Sequence, residues 1–206
     1  MKCLVAVAVL LAGIVVPAES KTREFEILGG MGGGEDYATQ QPDMENMDYN
    51  IQPNDARFAT QTVPFTRDLA PGSVLVKTGE RKLYFVLPGG QALRYPVGVG
   101  REGFTWSGQN QISRKAEWPT WRPPAIMIAR EANRGHFLPD IMEGGPHNPL
   151  GARALYIGST EFRIHGTTQP WSIGHAVSSG CIRMLNEQVI DLFDRVSVGA
   201  TVVVER

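Results

Sequence analysis

Cysteine is nearly missing from this chain. Cys3 and Cys181 are the only two among 206 residues. That excludes a disulfide framework and any Cys-x-x-Cys pair for zinc or dithiol redox chemistry. An excess of one charge is missing too: 20 Lys and Arg face 21 Asp and Glu, a formal net charge of −1. A nucleic-acid binder normally carries a basic excess or patch, and a polybasic membrane-surface protein a cluster of Lys and Arg. Long apolar runs are also lacking. The run Leu4 to Val16 falls short of the roughly 20 residues that span a bilayer as a helix. What is present suits one soluble domain with a core, since 42% of residues are hydrophobic and 20% charged. The 23 Gly and 14 Pro are many for a helical bundle and favour short strands joined by turns.

The first residues have the layout of a secretory signal peptide over 1–20. Met1 and Lys2 give a basic start, Leu4 to Val16 the apolar run, and Pro17-Ala18-Glu19-Ser20 the small residues near a cut. Cleavage after Ala18 or Ser20 is expected, with a retained anchor as the alternative. Export leaves Cys181 as the only cysteine, a lone thiol in an oxidising compartment. Residues 21–71 read as a flexible spacer. Gly29, Gly30, Gly32, Gly33 and Gly34 cluster around Met31, and acidic residues follow with no Lys or Arg before Arg57. Such a stretch has little apolar area to offset its ordering entropy.

From Gly72 the pattern changes to short strands. Ser73 to Lys77, Lys82 to Leu87 and Ala92 to Val99 alternate with Gly-rich turns, an antiparallel meander. Pro96 suggests an edge or a bulge in the third run. Residues 101 to about 150 show no clear period. Trp106, Trp118 and Trp121 lie there among Pro119, Pro123 and Pro124, and Ala125 to Ala129 reads as a short turn of helix or strand. A structureless stretch of that length inside a domain is usually functional. Ala154 to Ile157 and Phe162 to His165 are two further strands. Asn186 is placed to cap a helix from Glu187, with Val189, Ile190, Phe193 and Val196 at helical spacing. Thr201 to Val204 forms a last strand. The expected fold is mainly β, one catalytic domain over 72–206, with one clear helix after Cys181.

Ser178-Ser179-Gly180-Cys181-Ile182-Arg183 is the sharpest local feature. A thiolate nucleophile needs an exposed sulfur, a nearby base and donors for an oxyanion. The small residues before Cys181 let substrate approach, and their backbone N–H groups are placed to meet a developing oxyanion. His165 ends a strand and precedes Gly166-Thr167-Thr168, so its imidazole is the natural acceptor for the thiol proton. Taken alone this spacing is weak. A buried, inert cysteine under a loop fits it as well.

The longer pattern is more specific. His165-Gly166-Thr167, then Ile173-Gly174, then Ser178-Ser179-Gly180-Cys181-Ile182-Arg183-Met184 resembles the signature of the L,D-transpeptidase catalytic domain, also called the YkuD domain. Gly72 to Leu87, Phe104-Thr105-Trp106, Trp118 to Pro124, Asn148-Pro149-Leu150-Gly151 and Ala154-Leu155-Tyr156 are similar to flanks of the same family, especially its exported Gram-negative branch. The resemblance covers about residues 72–204. One departure stands out: the family often has His before Gly-Cys, and this chain has Ser179, whose hydroxyl still offers a hydrogen bond.

The resemblance implies Cys181 as nucleophile and His165 as base, with Ser179 and Gly180 at the oxyanion and positioning site. Arg183, Ser178 and Gly166 are candidates for substrate binding. It implies attack on the bond between diaminopimelate and D-Ala of a peptidoglycan tetrapeptide stem, release of D-Ala, and a thioester on Cys181. The acceptor is the amine of a neighbouring stem, giving a 3→3 cross-link, or a lysine of an outer-membrane protein. Water as acceptor would make the enzyme an L,D-carboxypeptidase or cross-link hydrolase. A non-catalytic wall-binding module is the alternative outside catalysis. Such a route needs no metal and no organic cofactor, and the expected setting is the periplasm. His136, His147 and His175 read as loop residues, Tyr156 as core, and Trp118, Trp121 and Trp171 as packing or stacking groups.

Overall fold

The computed structural model describes residues 55–206. The expected signal peptide and the spacer up to residue 54 lie outside the described residues. A short 3-10 turn at Ala56–Phe58 leads into β1 (Gln61–Pro64). The meander follows as β2 (Val74–Lys77), β3 (Lys82–Leu87) and β4 (Gln91–Pro96), then the two-residue β5 (Val99–Gly100). Next come β6 (Gly108–Glu117), α1 (Ala125–Ala132), β7 (Arg153–Ile157) and β8 (Arg163–His165). A 3-10 turn at Pro170–Ser172 precedes β9 (Ala176–Ser178) and β10 (Ile182–Arg183), and α2 (Asn186–Arg195) and β11 (Thr201–Glu205) end the chain.

Among the described residues nine strands form one sheet in the order β1-β4-β3-β2-β11-β6-β7-β8-β10, and β5 pairs with β9 apart from it. Most pairs are antiparallel; β2 with β11, β8 with β10 and β5 with β9 are parallel. The sheet curls. Arg183 at its far end exchanges two backbone hydrogen bonds with Gly98, just past β4, at 2.8 and 2.9 Å. Inside the curl, Val74, Val76, Leu83, Ile112, Leu155 and Ile164 pack with Leu192 of α2, all at most 1% exposed. Each such side chain contributes about 1.5–3 kcal/mol on burial. Tyr95 is buried among them, and its hydroxyl donates to Asp191 of α2 at 2.5 Å. Lys115 of β6 donates to the carbonyls of Phe193 and Val196, closing the C-terminal end of α2.

Four expectations are corrected. The spacer does not run to residue 71, because β1 adds to the edge of β4 from Gln61↔Arg94 to Pro64↔Gln91. Gln188 of α2 also donates to the Phe58 carbonyl at 2.6 Å. Edge addition needs backbone groups rather than apolar area, and only Val63 of β1 is even half-buried. The region expected to be irregular contains the ten-residue β6. Only Ile112 of it is buried, so its sequence carries no alternation; it is a strand because β11 and β7 flank it. A second helix exists as well: α1 buries no residue and follows Pro124, so its core signal in sequence is faint. Finally, α2 begins at Asn186 itself, and the Asn186 side chain bonds elsewhere, as described below.

Candidate active site

Parallel pairing of β8 with β10 builds the site. Ile164 lies opposite Ile182, and His165 opposite Arg183. Both isoleucines are buried in the core, 0% and 2% exposed. Because side chains alternate along a strand, Arg163, His165 and Arg183 share the other face. Cys181, one residue before β10, joins them. The Arg163–Ile164–His165 alternation thus sets which side chains meet the thiol.

The cysteine loop is braced from within. The buried Ser178 hydroxyl donates to the Cys181 carbonyl at 2.6 Å and accepts the Gly180 N–H at 3.1 Å. Gly180 has φ +110°, and a side chain there would overlap the Phe162 ring and the Phe104 carbonyl. Glycine is therefore required by both conformation and space. Trp106 stacks on Phe162, with centroids 5.5 Å apart, making an aromatic wall behind the loop.

His165 is buried, and its Nδ1–H donates to the Gly166 carbonyl at 2.5 Å. A carbonyl only accepts, so Nδ1 carries the proton and Nε2 of the neutral ring keeps its lone pair. Burial, with the Arg183 guanidinium, pushes the His165 pKa from 6.5 down to about 3, against the pull of the Gly166 carbonyl. The part-exposed Cys181 thiol donates to the Glu161 carbonyl at 3.8 Å rather than to His165. Burial pushes its pKa up, and the Arg163 guanidinium and backbone N–H oppose this. Both shifts favour a neutral thiol beside a neutral imidazole.

Arg183 is half-buried and donates to Gln169 Oε1 at 2.9 Å; among the described residues no carboxylate pairs with it. The other expected positions differ in what they do. Ser178 makes internal bonds, so its hydroxyl braces the loop instead of facing substrate. The Gly180 N–H is taken by Ser178. Ser179 is exposed. Gly166 is buried against Asn186 and the Ala152 backbone, with no room for a side chain. His136 is exposed on the segment after α1, His147 borders a cleft with Thr167, Thr168 and Leu185, and His175 is exposed before β9. Tyr156, expected in the core, is only half-buried and lies on the outer face beneath two arginines. Among the described residues no three His, Cys, Asp or Glu side chains group closely enough to hold a metal ion.

Two asparagines and an arginine matter beyond what sequence reasoning singled out. Asn186 accepts the Ala152 N–H at 3.0 Å and donates to the Thr167 carbonyl at 3.2 Å, tying the chain after His165 to the start of β7. Asn148, 1% exposed, donates to the carbonyls of Pro119, Met142 and Glu143 and accepts the Leu150 N–H. Apart from the local turn from Asn148 to the Leu150 N–H, these bonds reach across the chain and have no local signature. Arg163 was legible, because alternation from His165 places it on the same face.

The chain has relatives among known proteins. The family model for the L,D-transpeptidase catalytic domain, YkuD, matches residues 71–204. Probable L,D-transpeptidase ErfK/SrfK of Escherichia coli strain K12 is 37% identical over 140 residues, 66% of this chain and 44% of the relative. Putative L,D-transpeptidase YqjB of Bacillus subtilis strain 168 is 33% identical over 149 residues, 68% of this chain and 76% of the relative. A solved L,D-transpeptidase from Mycobacterium smegmatis superposes with a TM-score of 0.50 at 20% identity, covering 65% of this chain and 58% of that one; at that identity the fold is what is shared. The chain spans less than half the length of the Escherichia coli relative. With a family match over most of the chain and a mainly β curled sheet around the Cys–His pair, this protein belongs to the YkuD family of L,D-transpeptidase catalytic domains.

Proposed function

We propose that this chain is a cysteine-dependent peptidoglycan L,D-transpeptidase. The observation that carries the reading is the β8–β10 ladder, which sets Cys181, His165 and Arg183 on one face. The donor is a tetrapeptide stem ending in D-Ala. Its free carboxylate suits the half-buried Arg183, whose guanidinium donates to the neutral Gln169 and, among the described residues, pairs with no carboxylate. The Cys181 sulfur attacks the carbonyl of the diaminopimelate–D-Ala bond. Nε2 of His165 takes the thiol proton as the sulfur–carbon bond forms.

Substrate arrival must bring the thiol and the imidazole into proton-transfer reach, because they do not bond to each other beforehand. The developing oxyanion is stabilised by the backbone N–H of Cys181 and by the guanidinium of Arg183, rather than by the Gly180 N–H, which Ser178 already holds. The C–N bond breaks, His165 returns its proton to the leaving D-Ala amine, and a thioester remains. An amine then attacks the thioester, and Cys181 leaves as the thiol. No step calls for a metal or an organic cofactor.

The reading extends to the whole chain. The basic, apolar and small-residue segments of 1–20 fit export to the periplasm, where stem peptides are found. The catalytic domain covers 72–206, with β1 as its N-terminal brace. Mass spectrometry of muropeptides tests the function. Protein from about residue 21 onward, incubated with tetrapeptide stems, should release D-Ala and yield dimers joined through third residues. Tripeptides without dimers would indicate hydrolysis, and unchanged stems would end the catalytic reading.

A further inference from the structure

We propose that Gln169 is a positioning residue for Arg183: its neutral amide oxygen fixes the guanidinium in the site without cancelling the charge. The inference rests on the transpeptidase reading above, in which Arg183 meets the donor carboxylate and the developing oxyanion.

Gln169 lies on the loop between β8 and the Pro170–Ser172 turn, and it is exposed. Core packing therefore does not place it. Its backbone is tied on both sides instead. The Gln169 N–H donates to Thr167 Oγ1 at 3.0 Å. The Gln169 carbonyl accepts from the Ser172 N–H at 3.0 Å and from the Ser172 hydroxyl at 2.6 Å. Pro170 disfavours the helical region for the residue before it, and Gln169 accordingly has ψ 72°. Ser172 is fully buried and Thr167 nearly so, which fixes both attachment points.

Arg183 is held against the same turn. A side chain at Gly98 would come within 2.6 Å of the Ser172 carbonyl oxygen and 3.3 Å of the Arg183 Cβ. Glycine at that position lets the turn and β10 close on one stretch of backbone. From this frame Gln169 Oε1 accepts from Arg183 Nη1 at 2.9 Å, across 14 residues of chain.

The acceptor is an amide where other arginines have an acid. Arg67, Arg153, Arg163 and Arg195 each meet a carboxylate. A carboxylate orients a guanidinium and also offsets its field. An amide oxygen orients it and leaves the full positive charge. That charge acts on both reacting groups. It helps to hold the His165 pKa down, and it opposes the upward push of burial on the Cys181 thiol. A neutral partner also does not repel an arriving stem carboxylate, which can take the other guanidinium donors.

Two substitutions in the full chain separate aim from charge. Both variants should melt with the parent, because the side chain is exposed. Gln169→Met keeps the length and removes the acceptor. Its kcat/KM for D-Ala release from tetrapeptide stems should fall roughly tenfold, while the iodoacetamide rate at Cys181 stays at the parent value. Gln169→Glu keeps the shape and sets a carboxylate beside Arg183. Its kcat/KM should fall further, and alkylation at about pH 8 should slow roughly fivefold as the thiolate fraction drops. Besides Arg183 the thiol faces Arg163 and Glu161, which neither substitution alters. A parent-like kcat/KM in Gln169→Met, or equal effects of the two substitutions on both readouts, would overturn the positioning role. If the parent releases no D-Ala, the transpeptidase reading fails instead. The alkylation comparison then decides the role of Gln169 by itself: equal rates in Gln169→Glu and the parent overturn it.

Discussion

Arg183 stands directly across the ladder from His165, and its guanidinium helps to hold that imidazole neutral. That ladder position brings a guanidinium into the site and adds to the burial that keeps the His165 ring neutral. The predictions below follow from that pairing and from the loop that carries Cys181.

Cys181→Ala should abolish D-Ala release and leave the fold intact. The thiol's hydrogen bond to the Glu161 carbonyl is long, at 3.8 Å, so little stability depends on it. Turnover by the variant, with an unchanged circular dichroism spectrum, would remove the proposed nucleophile.

His165→Gln should lower acylation by roughly 10²–10⁴-fold, the usual contribution of a positioned general base. Acylation by a carbapenem followed by mass spectrometry reads this step without any acceptor. An unchanged rate would move the base elsewhere.

His165 also predicts acid sensitivity. Its folded pKa of about 3 lies below the ordinary 6.5. Above pH 6.5 the ring is neutral in folded and unfolded chains, and its contribution is complete. Between 6.5 and 3 only the unfolded ring binds a proton, so stability falls as pH falls, by up to ~1.4 kcal/mol per pH unit. Urea unfolding at several pH values should show a shallower slope for His165→Gln than for the parent. Parallel slopes would contradict the buried neutral ring.

The raised thiol pKa predicts slow alkylation at neutral pH. The iodoacetamide rate at Cys181 should climb with pH past 9 instead of reaching a plateau near 7. A plateau at neutral pH would mean that a thiolate already rests in the free site.

The two serines should separate clearly. Ser178→Ala removes both hydrogen bonds that shape the cysteine loop and should cost about 1–3 kcal/mol together with most activity. Ser179→Ala, at an exposed position, should change stability by under ~0.5 kcal/mol. Thermal denaturation beside a turnover assay distinguishes them; the reverse order would reassign the brace.

Much of this protein could be read from the chain alone. Alternation in Lys82–Leu87 and turn residues on either side specify β3 locally, and Arg163-Ile164-His165 tells which side chains face away from the core. The His165-Gly166-Thr167 and Ser178–Arg183 motifs pointed to the family. Those signals lie between near neighbours, where side-chain period and turn chemistry act directly. Other features depend on chain segments far apart. Tertiary pairing alone made a strand of the polar β6 and joined β1 to the edge of β4. It also gave the Gly180 N–H to Ser178 and buried His165 beside Arg183. Hydrogen-bond partners and desolvation are set by what the folded chain brings alongside, and no local pattern encodes that.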